Sequence, residues 1–299
     1  MTLLLSAITS EHITLATDRR LSYQDRFGRA IPKEDDANKM IFSSNGFLFC
    51  YTGPAELGHK KKKTDLWIAE SIEETDPNFR MIEVVDHLAR KLQADISIYT
   101  NKFCRHMTIM ILGWARFEDN AYYDPCLGVI STYLDLNLNT LPVKGTNKST
   151  AVNYFLRKVW PHELPLVVFA GQNLSNNRRI FLKRSFQKFH SRQLSQSLMI
   201  DTLYKEILLT HRNNAWVGNG VLAAAISKLS AARSETNASI MSYGNIGSGR
   251  QFLYYPASAT QPLIKMPHFV TPGRGSFIDL GFRYLNDEKT DQEIIFRMT

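Results

Sequence analysis

The sequence predicts an α+β protein, because three features of its first hundred residues agree. Short apolar segments on either side of the polar residues 10–12 predict a β-hairpin at the start of the chain. Similar segments on either side of residues 43–46 predict a second hairpin. Apolar residues then recur at helical spacing between Ile82 and Ile96. Hairpins followed by helices are typical of antiparallel sheets packed against helices.

The remaining elements follow in chain order from the same kinds of pattern. Residues 28–38, rich in Gly, Pro, Asp and Lys, predict a loop between the two hairpins, and Pro77 separates the first two helices. The predicted strands are 2–9, 13–17, 39–42, 47–51, 107–112, 121–123, 166–170, 238–243 and 250–255, and the predicted helices are 57–75, 82–96, 195–212 and 220–232.

Thr2 is the first candidate catalytic residue. Methionine aminopeptidases remove Met1 when the second side chain is small, and the processed chain would begin with Thr2. A threonine hydroxyl is a weak nucleophile unless a base lies beside it. The α-amine of an N-terminal threonine is such a base, with an ordinary pKa of about 7.7–8.0. Thr2 could therefore supply nucleophile and base together, although threonine is also a common second residue with no such role.

A pattern of charged residues and glycine follows Thr2 at defined intervals. Asp18-Arg19-Arg20 begins sixteen residues after Thr2, Lys39 lies within Asp36-Ala37-Asn38-Lys39-Met40, and Gly53 follows Lys39 by fourteen residues. This segment resembles the N-terminal-nucleophile hydrolases of the proteasome β-subunit type and their bacterial relatives. The first and last intervals match that family without a gap. The extra residues of the middle interval fall in the predicted loop, where insertions cost little.

The resemblance implies catalytic roles for five residues. Lys39 would lower the pKa of the Thr2 amine and hydroxyl, and Asp18 would neutralise and orient this buried lysine. The main-chain N–H of Gly53 would stabilise the oxyanion, and Arg20 would brace the loop behind Asp18. The alternative is structural: Asp18 and Arg20 could form a surface ion pair, Lys39 could be a solvated strand flank, and Gly53 could be a turn residue.

The resemblance also implies a substrate pocket and a group that supports the threonine. The pocket would accept small or medium apolar side chains, and its lining would be Leu21, Ala37, Ile41, Tyr51 and Ala55. In the family, an Arg-Asp-x-x-Ser-Gly pattern at the end of the last helix supports catalysis. The nearest match, at residues 233–238, departs from it: Ser234 replaces the aspartate, Glu235 could substitute one residue later, and Asn237 replaces the serine.

For the whole chain the resemblance implies a four-layer αββα sandwich, in which two antiparallel sheets lie between helices. The resemblance thins after about Gly128, and residues 133–164 are predicted to be an insertion. Residues 2–255 would form the hydrolase domain and residues 256–299 a C-terminal extension. Members of this family assemble into rings, so a homo-oligomeric ring is expected, with an ATPase or unfoldase as a further partner.

Composition is that of an ordinary globular protein, with 44% hydrophobic and 21% charged residues. Cys50, Cys104 and Cys126 are irregularly spaced in apolar surroundings, which predicts reduced core thiols and a cytoplasmic protein. Neither a signal peptide nor a membrane span is predicted. Cys104 and His106 are too few ligands for a metal site, and no metal or cofactor is expected.

The net charge of +8 has two visible sources. Residues 59–63 are His-Lys-Lys-Lys-Lys, and residues 178–192 interleave basic residues with Phe181, Phe186 and Phe189. Basic residues mixed with aromatic rings can bind nucleic acid, but charged runs are more often solvated faces and alternating phenylalanines are more often core. A basic surface could equally meet an acidic partner such as an unfoldase tail.

Together these observations predict a threonine-type endopeptidase that cleaves peptides or unfolded proteins inside a self-compartmentalised oligomer. An inactive structural ring subunit of the same fold is the first alternative, and the altered residues 233–237 favour it. A basic nucleic-acid-binding protein is the second and weaker alternative.

Overall fold

A computed structural model describes most of this 299-residue chain. The described residues are 2–24, 27, 29–34, 37–43, 46–58, 61–76, 79–96, 106–117, 123–134, 151–172, 174–192, 196–228, 250–255, 263–265, 268–270, 277–284 and 292–298.

Strands outnumber helices among the elements of the described residues. In chain order the elements are β1 (Leu3–Ile8), β2 (His12–Asp18), β3 (Leu21–Gln24), β4 (Ala30–Glu34), β5 (Met40–Ser43), β6 (Leu48–Thr52), β7 (Glu56–Leu57), β8 (Lys62–Lys63), α1 (Thr64–Glu73), α2 (Met81–Ile96), β9 (Thr108–Ala115), β10 (Asp124–Ser131), β11 (Asn153–Lys158), β12 (Leu166–Gly171), α3 (Asn176–Arg192), α4 (Gln196–Asn213), β13 (Val221–Ser227), β14 (Arg250–Tyr255), β15 (Leu263–Lys265), β16 (His268–Val270), β17 (Phe277–Tyr284) and β18 (Gln292–Met298).

Most strands belong to two large sheets. The first sheet has the order β12-β1-β2-β13-β14, and every neighbouring pair in it is antiparallel. The second has the order β11-β10-β9-β6-β5-β16-β17-β15, with β18 beside β17, and β5 with β16 is its parallel pair. The chain is therefore a mixed α+β protein with antiparallel sheets, as the sequence predicts.

Side chains of β1 alternate between two cores, because successive residues of a strand point to opposite faces. Leu4 lies in a buried cluster between the two sheets, together with Phe42 of β5. Leu3 lies in a second cluster with residues of α3 and α4, including Phe186. Both faces of this strand are therefore buried, and its register determines where Thr2 lies.

Helix α2 has the amphipathic pattern that the sequence predicts. Val84, Leu88 and Leu92 lie one turn apart on its buried face, in a third cluster with α1 and with Ile111 of β9. Complete burial of each of these side chains is worth about 1.5–3 kcal/mol. This cluster packs α1 and α2 against the second sheet, whereas α3 and α4 pack against the first.

The prediction of a helix at 220–232 is wrong for residues 221–227, which the structure describes. Val221–Ser227 forms β13, which pairs with β2 on one side and with β14 on the other. Leu222 and Ala224 lie in the core between the sheets, whereas Ala223 and Ala225 lie in the core with α3 and α4. A short run that is buried on both faces carries no period that distinguishes a strand from a helix.

Other elements differ from the sequence prediction at their ends. Helix α1 begins at Thr64 rather than near 57, because β7 and β8 pair first. β3 and β4 form a hairpin that extends into the predicted loop, and β11 lies within the predicted insertion beside β10. β10 begins just after the predicted strand 121–123, of which the structure describes Tyr123 alone. The strand predicted at 238–243 lies outside the described residues.

Candidate active site

The side chains of Thr2 and Lys39 are in hydrogen-bond contact. Thr2 directly precedes β1, and Lys39 directly precedes β5 of the other sheet. The Lys39 ammonium donates to the Thr2 hydroxyl, with Nζ 2.5 Å from Oγ1, and both residues are buried. Lys39 also donates to the main-chain carbonyl of Arg20, and its Nζ lies 3.5 Å from Oδ2 of Asp18. Three acceptors therefore match the three donors of this buried ammonium.

Main-chain N–H groups from three segments hold the Asp18 carboxylate. Oδ1 accepts the N–H of Leu3 at 2.8 Å, and Oδ2 accepts the N–H groups of Arg20 and Gly218, each at 3.2 Å. The Asp18 side chain is fully buried. Since N–H donors stabilise a carboxylate, Asp18 can face Lys39 as an anion without help from solvent.

The main chain of Thr2 is fixed by residues of other elements. Its carbonyl accepts the N–H of Gln172 at 2.9 Å, and its nitrogen lies 3.4 Å from Oγ1 of Thr52. Gly171 has a φ of +87°, and a Cβ there would lie 1.7 Å from the Thr2 carbonyl oxygen. The hydroxyl of Tyr133 accepts the Gly171 N–H at 3.0 Å, and burial raises the pKa of this phenol. Glycine is therefore required at position 171.

Gly53 follows β6 and adjoins Thr52. Its φ is +143°, and a Cβ there would lie 2.8 Å from the carbonyl oxygen of His106. L-residues rarely adopt this conformation, and the main chain of His106 leaves no room for a side chain. The structure thus requires glycine at one of the positions that the sequence marks as catalytic.

Arg20 contacts the site through its main chain and its side chain. Its carbonyl accepts from Lys39, and its N–H donates to Asp18. The guanidinium donates from Nη1 to the carbonyl of Ala215 at 3.1 Å. The Arg20 side chain therefore braces the segment between α4 and β13. In the first sheet, β13 lies on the side of β2 opposite to β1 and β12.

The residues predicted to line a substrate pocket differ in access. Ile41 and Tyr51 lie in the buried cluster with α1 and α2, and the Tyr51 hydroxyl donates to a main-chain carbonyl at 3.2 Å. Burial raises the pKa of Tyr51. Ala37 is also buried, whereas Leu21 and Ala55 are partly exposed. Of these five positions, Leu21 and Ala55 are the two that a bound substrate could touch without a rearrangement of the core.

The segment between α4 and β13 reaches the site from far along the chain. Gly218 donates to Asp18, Ala215 accepts from Arg20, and the Asn214 amide donates to Oε1 of Gln172 at 3.0 Å. The sequence analysis missed these residues, together with Gly171 and Gln172. The glycines that flank Asn219 were the available signal, since closely spaced glycines permit a close main-chain approach. Ser234, Glu235 and Asn237, predicted to support Thr2, lie outside the described residues.

The remaining candidates from the sequence are the cysteine thiols and possible metal ligands. Cys50 and Cys126 are buried free thiols whose pKa burial raises, and Cys104 lies outside the described residues. Within the described residues no group of His, Cys, Asp and Glu side chains could hold a metal ion. In the same part of the chain, no helix combines the length and the apolar composition that crossing a membrane requires.

Comparison with known proteins finds no matching family model and no matching curated protein.

Proposed function

We propose that this protein is a threonine-type N-terminal-nucleophile hydrolase that cleaves peptide bonds with Thr2. The observation that carries the proposal is the contact between Lys39 Nζ and Thr2 Oγ1, at 2.5 Å, with Asp18 3.5 Å from the same ammonium. A hydroxyl that faces a buried cation is easier to deprotonate, because the cation stabilises the alkoxide. The same ammonium also donates to the Arg20 carbonyl and faces Asp18, so it orders the main chain around Thr2 as well.

The proposed reaction begins after removal of Met1. The Thr2 hydroxyl oxygen attacks the carbonyl carbon of the substrate amide, and the α-amine of Thr2 takes the hydroxyl proton. The main-chain N–H of Gly53 donates to the oxygen that becomes negative. When the C–N bond breaks, that proton passes to the leaving amine and an ester on Thr2 remains. Water then attacks the ester, releases the acid and restores the hydroxyl.

The arrangement of cores supports the finer fold of the proposal, a four-layer αββα sandwich. Its layers would be α3 with α4, the first sheet, the second sheet, and α1 with α2, and three buried clusters join them in that order. Thr2 and Lys39 then meet where β1 of one sheet and β5 of the other begin. A homo-oligomeric ring, an unfolded protein or peptide substrate and an ATPase partner belong to the same proposal. The reaction as written uses no metal or cofactor.

An N-terminal-threonine-reactive epoxyketone provides the direct test. Such a probe needs both the free α-amine and the hydroxyl of the same residue, so an adduct requires Met1 removal and a reactive Thr2. We expect a one-to-one adduct in the intact mass of the full chain, and hydrolysis of fluorogenic peptides that the probe abolishes. Thr2→Val retains the shape of the side chain without the hydroxyl and should give neither result, whereas Thr2→Ser should retain both at a lower rate.

Two outcomes overturn the proposal. If the chain lacks Met1 and forms no adduct, the protein is an inactive structural subunit of the same fold. If peptides are hydrolysed equally by Thr2→Val, the nucleophile lies elsewhere.

A further inference from the structure

The side chain of Thr52 places a hydroxyl against the main chain of Thr2. Its Oγ1 accepts the N–H of Thr2, at 3.4 Å from the nitrogen, and lies 3.5 Å from the Thr2 carbonyl oxygen. Thr52 ends β6 of the second sheet and Thr2 directly precedes β1 of the first, so this hydroxyl bridges the two sheets. Both residues are buried. The nitrogen that becomes the α-amine when Met1 is removed therefore has a protein hydroxyl beside it.

Packing around Thr52 fixes the position of its hydroxyl. The residue pairs with Thr108 of the neighbouring strand β9, which holds its main chain. A Cβ at Gly171 would lie 2.9 Å from the Thr52 Oγ1, so the hydroxyl lies between Gly171 and Thr2. Threonine is also branched at Cβ, which restricts rotation about χ1. The hydroxyl is thus held beside the Thr2 nitrogen before any substrate binds.

The two contacts with Thr2 use different functions of the Thr52 hydroxyl. A hydroxyl has one hydrogen to donate and two lone pairs that accept. The Thr2 carbonyl oxygen can only accept, so the Thr52 hydrogen points to it and a lone pair faces the nitrogen. A hydroxyl that instead donated to the amine would occupy the lone pair with which the amine takes a proton. The Thr2 carbonyl therefore keeps Thr52 an acceptor toward the amine.

Removal of Met1 leaves the Thr2 nitrogen in this place. The Thr2 carbonyl accepts from Gln172 and the Thr2 hydroxyl accepts from Lys39, and neither contact involves Met1. A neutral amine has two hydrogens and one lone pair. When one N–H is directed to Thr52, rotation of the amine is restricted and its lone pair can face the Thr2 hydroxyl, whose proton it must take.

We infer that Thr52 is a positioning residue, whose hydroxyl accepts one N–H of the Thr2 α-amine and turns the amine lone pair toward the Thr2 hydroxyl. The inference rests on the proposed function, since the amine exists only when Thr2 is the first residue. Thr52 takes no proton itself and acts through the amine.

This role has a consequence for the dependence of the rate on pH. The Thr52 hydroxyl also accepts from the protonated amine, and such a hydrogen bond favours the charged form. Loss of the hydroxyl should therefore move the acidic limb of the pH–rate profile to lower pH. A distortion of β6 or of Gly53 would lower the rate at every pH and leave that limb in place. The position of the acidic limb thus separates orientation of the amine from a purely structural role.

Thr52→Val tests the inference, because valine keeps the branched shape and lacks the hydroxyl. Hydrolysis of fluorogenic peptides by the full chain, from pH about 5 to about 9, spans the titration of the amine. We expect kcat to fall about ten-fold as the amine loses its orientation. KM should not change, since Thr52 is buried. The acidic limb should move down by about 0.5–1 pH unit, the worth of one hydrogen bond.

Two further variants show whether the hydroxyl is responsible. Thr52→Ser keeps the hydroxyl and should return the acidic limb to the wild-type pH with most of the rate. Thr52→Ala lacks the hydroxyl and makes the same comparison if the valine variant does not fold.

Thr14→Val is the matched control. Thr14 is fully buried in β2, and its hydroxyl donates to the main-chain carbonyl of Ala7 at 3.2 Å. This variant also loses a buried hydroxyl from a strand, so its kcat, KM and pH profile should match those of the wild type. Far-ultraviolet circular dichroism shows that each variant is folded, and intact mass shows that Met1 is gone.

The possible failures are distinguishable. If the wild type hydrolyses peptides and Thr52→Val has the same kcat and the same acidic limb, the inference is overturned and the proposed function stands. A lower kcat with an unmoved limb shows a structural role for Thr52 and also overturns the inference. If the wild type lacks Met1 but neither hydrolyses peptides nor forms the epoxyketone adduct, the proposed function itself fails and the inference fails with it.

Discussion

The carboxylate of Asp18 accepts the main-chain N–H of Leu3 at 2.8 Å, so the aspartate that faces Lys39 also fixes the start of β1, directly after Thr2. The other oxygen of the same carboxylate faces the ammonium and two further N–H groups. One side chain therefore sets the position of the nucleophile and the charge beside it. Substitutions at this site should separate these two effects.

Removal of the Lys39 ammonium should reduce the rate of peptide hydrolysis strongly and the stability of the fold less. In Lys39→Met we expect peptide hydrolysis to fall by about a hundred-fold or more, because the buried cation that stabilises the Thr2 alkoxide is gone. Fluorogenic peptide assays measure the rate. Lys33→Met, at a position whose side chain is 57% exposed, is the matched control and should keep the wild-type rate. Equal activity in Lys39→Met would show that this lysine has no catalytic part.

Asp18→Asn should destabilise the protein more than Lys39→Met does. The amide leaves the buried ammonium without an anion, and its own NH2 group meets N–H donors, so a loss of about 3–5 kcal/mol is expected. In Lys39→Met the Asp18 carboxylate keeps its three main-chain donors, so the free energy of unfolding should fall by less. Urea unfolding of the two variants gives the comparison. The reverse order would mean that the N–H groups do not sustain the charge of Asp18.

Gly171→Ala should displace Thr2. A methyl group at this position would lie 1.7 Å from the Thr2 carbonyl oxygen, so the strand must shift and the probe adduct at Thr2 should be lost. Gly58→Ala is the control, since Gly58 also has a positive φ but faces the flexible side chain of Asp95 at 3.2 Å. It should show the backbone strain alone, about 1–3 kcal/mol, with adduct formation intact. Intact mass and thermal unfolding report the two effects.

Ala224→Leu should overpack the core between the sheets. Ala224 is fully buried and lies in β13 opposite Leu15 of β2, so three more carbon atoms have no space and a cost of about 1–3 kcal/mol is expected. The same substitution at Ala94, exposed on α2, should leave stability almost unchanged. Chemical denaturation measures both. An unaffected Ala224→Leu variant would contradict the burial of β13 between two layers.

His12 should make stability fall in mild acid. Burial lowers the pKa of this imidazole, and the charge of Glu11 opposes the shift only in part. The unfolded chain then takes up a proton near the ordinary pKa of 6.5, whereas the folded chain does so only at lower pH. The stability from neutral His12 is complete above that pH and is lost as pH falls below it. Thermal unfolding midpoints of His12→Gln should depend less on pH than those of the wild type, and an equal pH dependence of the two proteins would contradict the burial of neutral His12.

Patterns among neighbouring residues predicted a large part of the fold. The first two hairpins and α2 are confirmed because strand alternation, turn residues and helical period are properties of neighbouring residues. The resemblance implied that Lys39 and Asp18 lie beside Thr2, and in the structure the Thr2 hydroxyl and the Asp18 carboxylate lie within 3.5 Å of Lys39 Nζ. Thr2 directly precedes β1 and Asp18 ends β2, so the predicted β1–β2 hairpin already brings these two residues together.

Tertiary structure decided what sequence neighbours cannot specify. β13 is a strand rather than the predicted helix because it lies between β2 and β14 with both faces buried, an environment that exists only once both sheets have formed. Gly171 and Gly218 contact Thr2 and Asp18 from 169 and 200 residues away along the chain, so these contacts form only once remote segments have packed together. Packing of remote segments supplied the donors and the close contacts, whereas the charged side chains themselves were visible in the sequence.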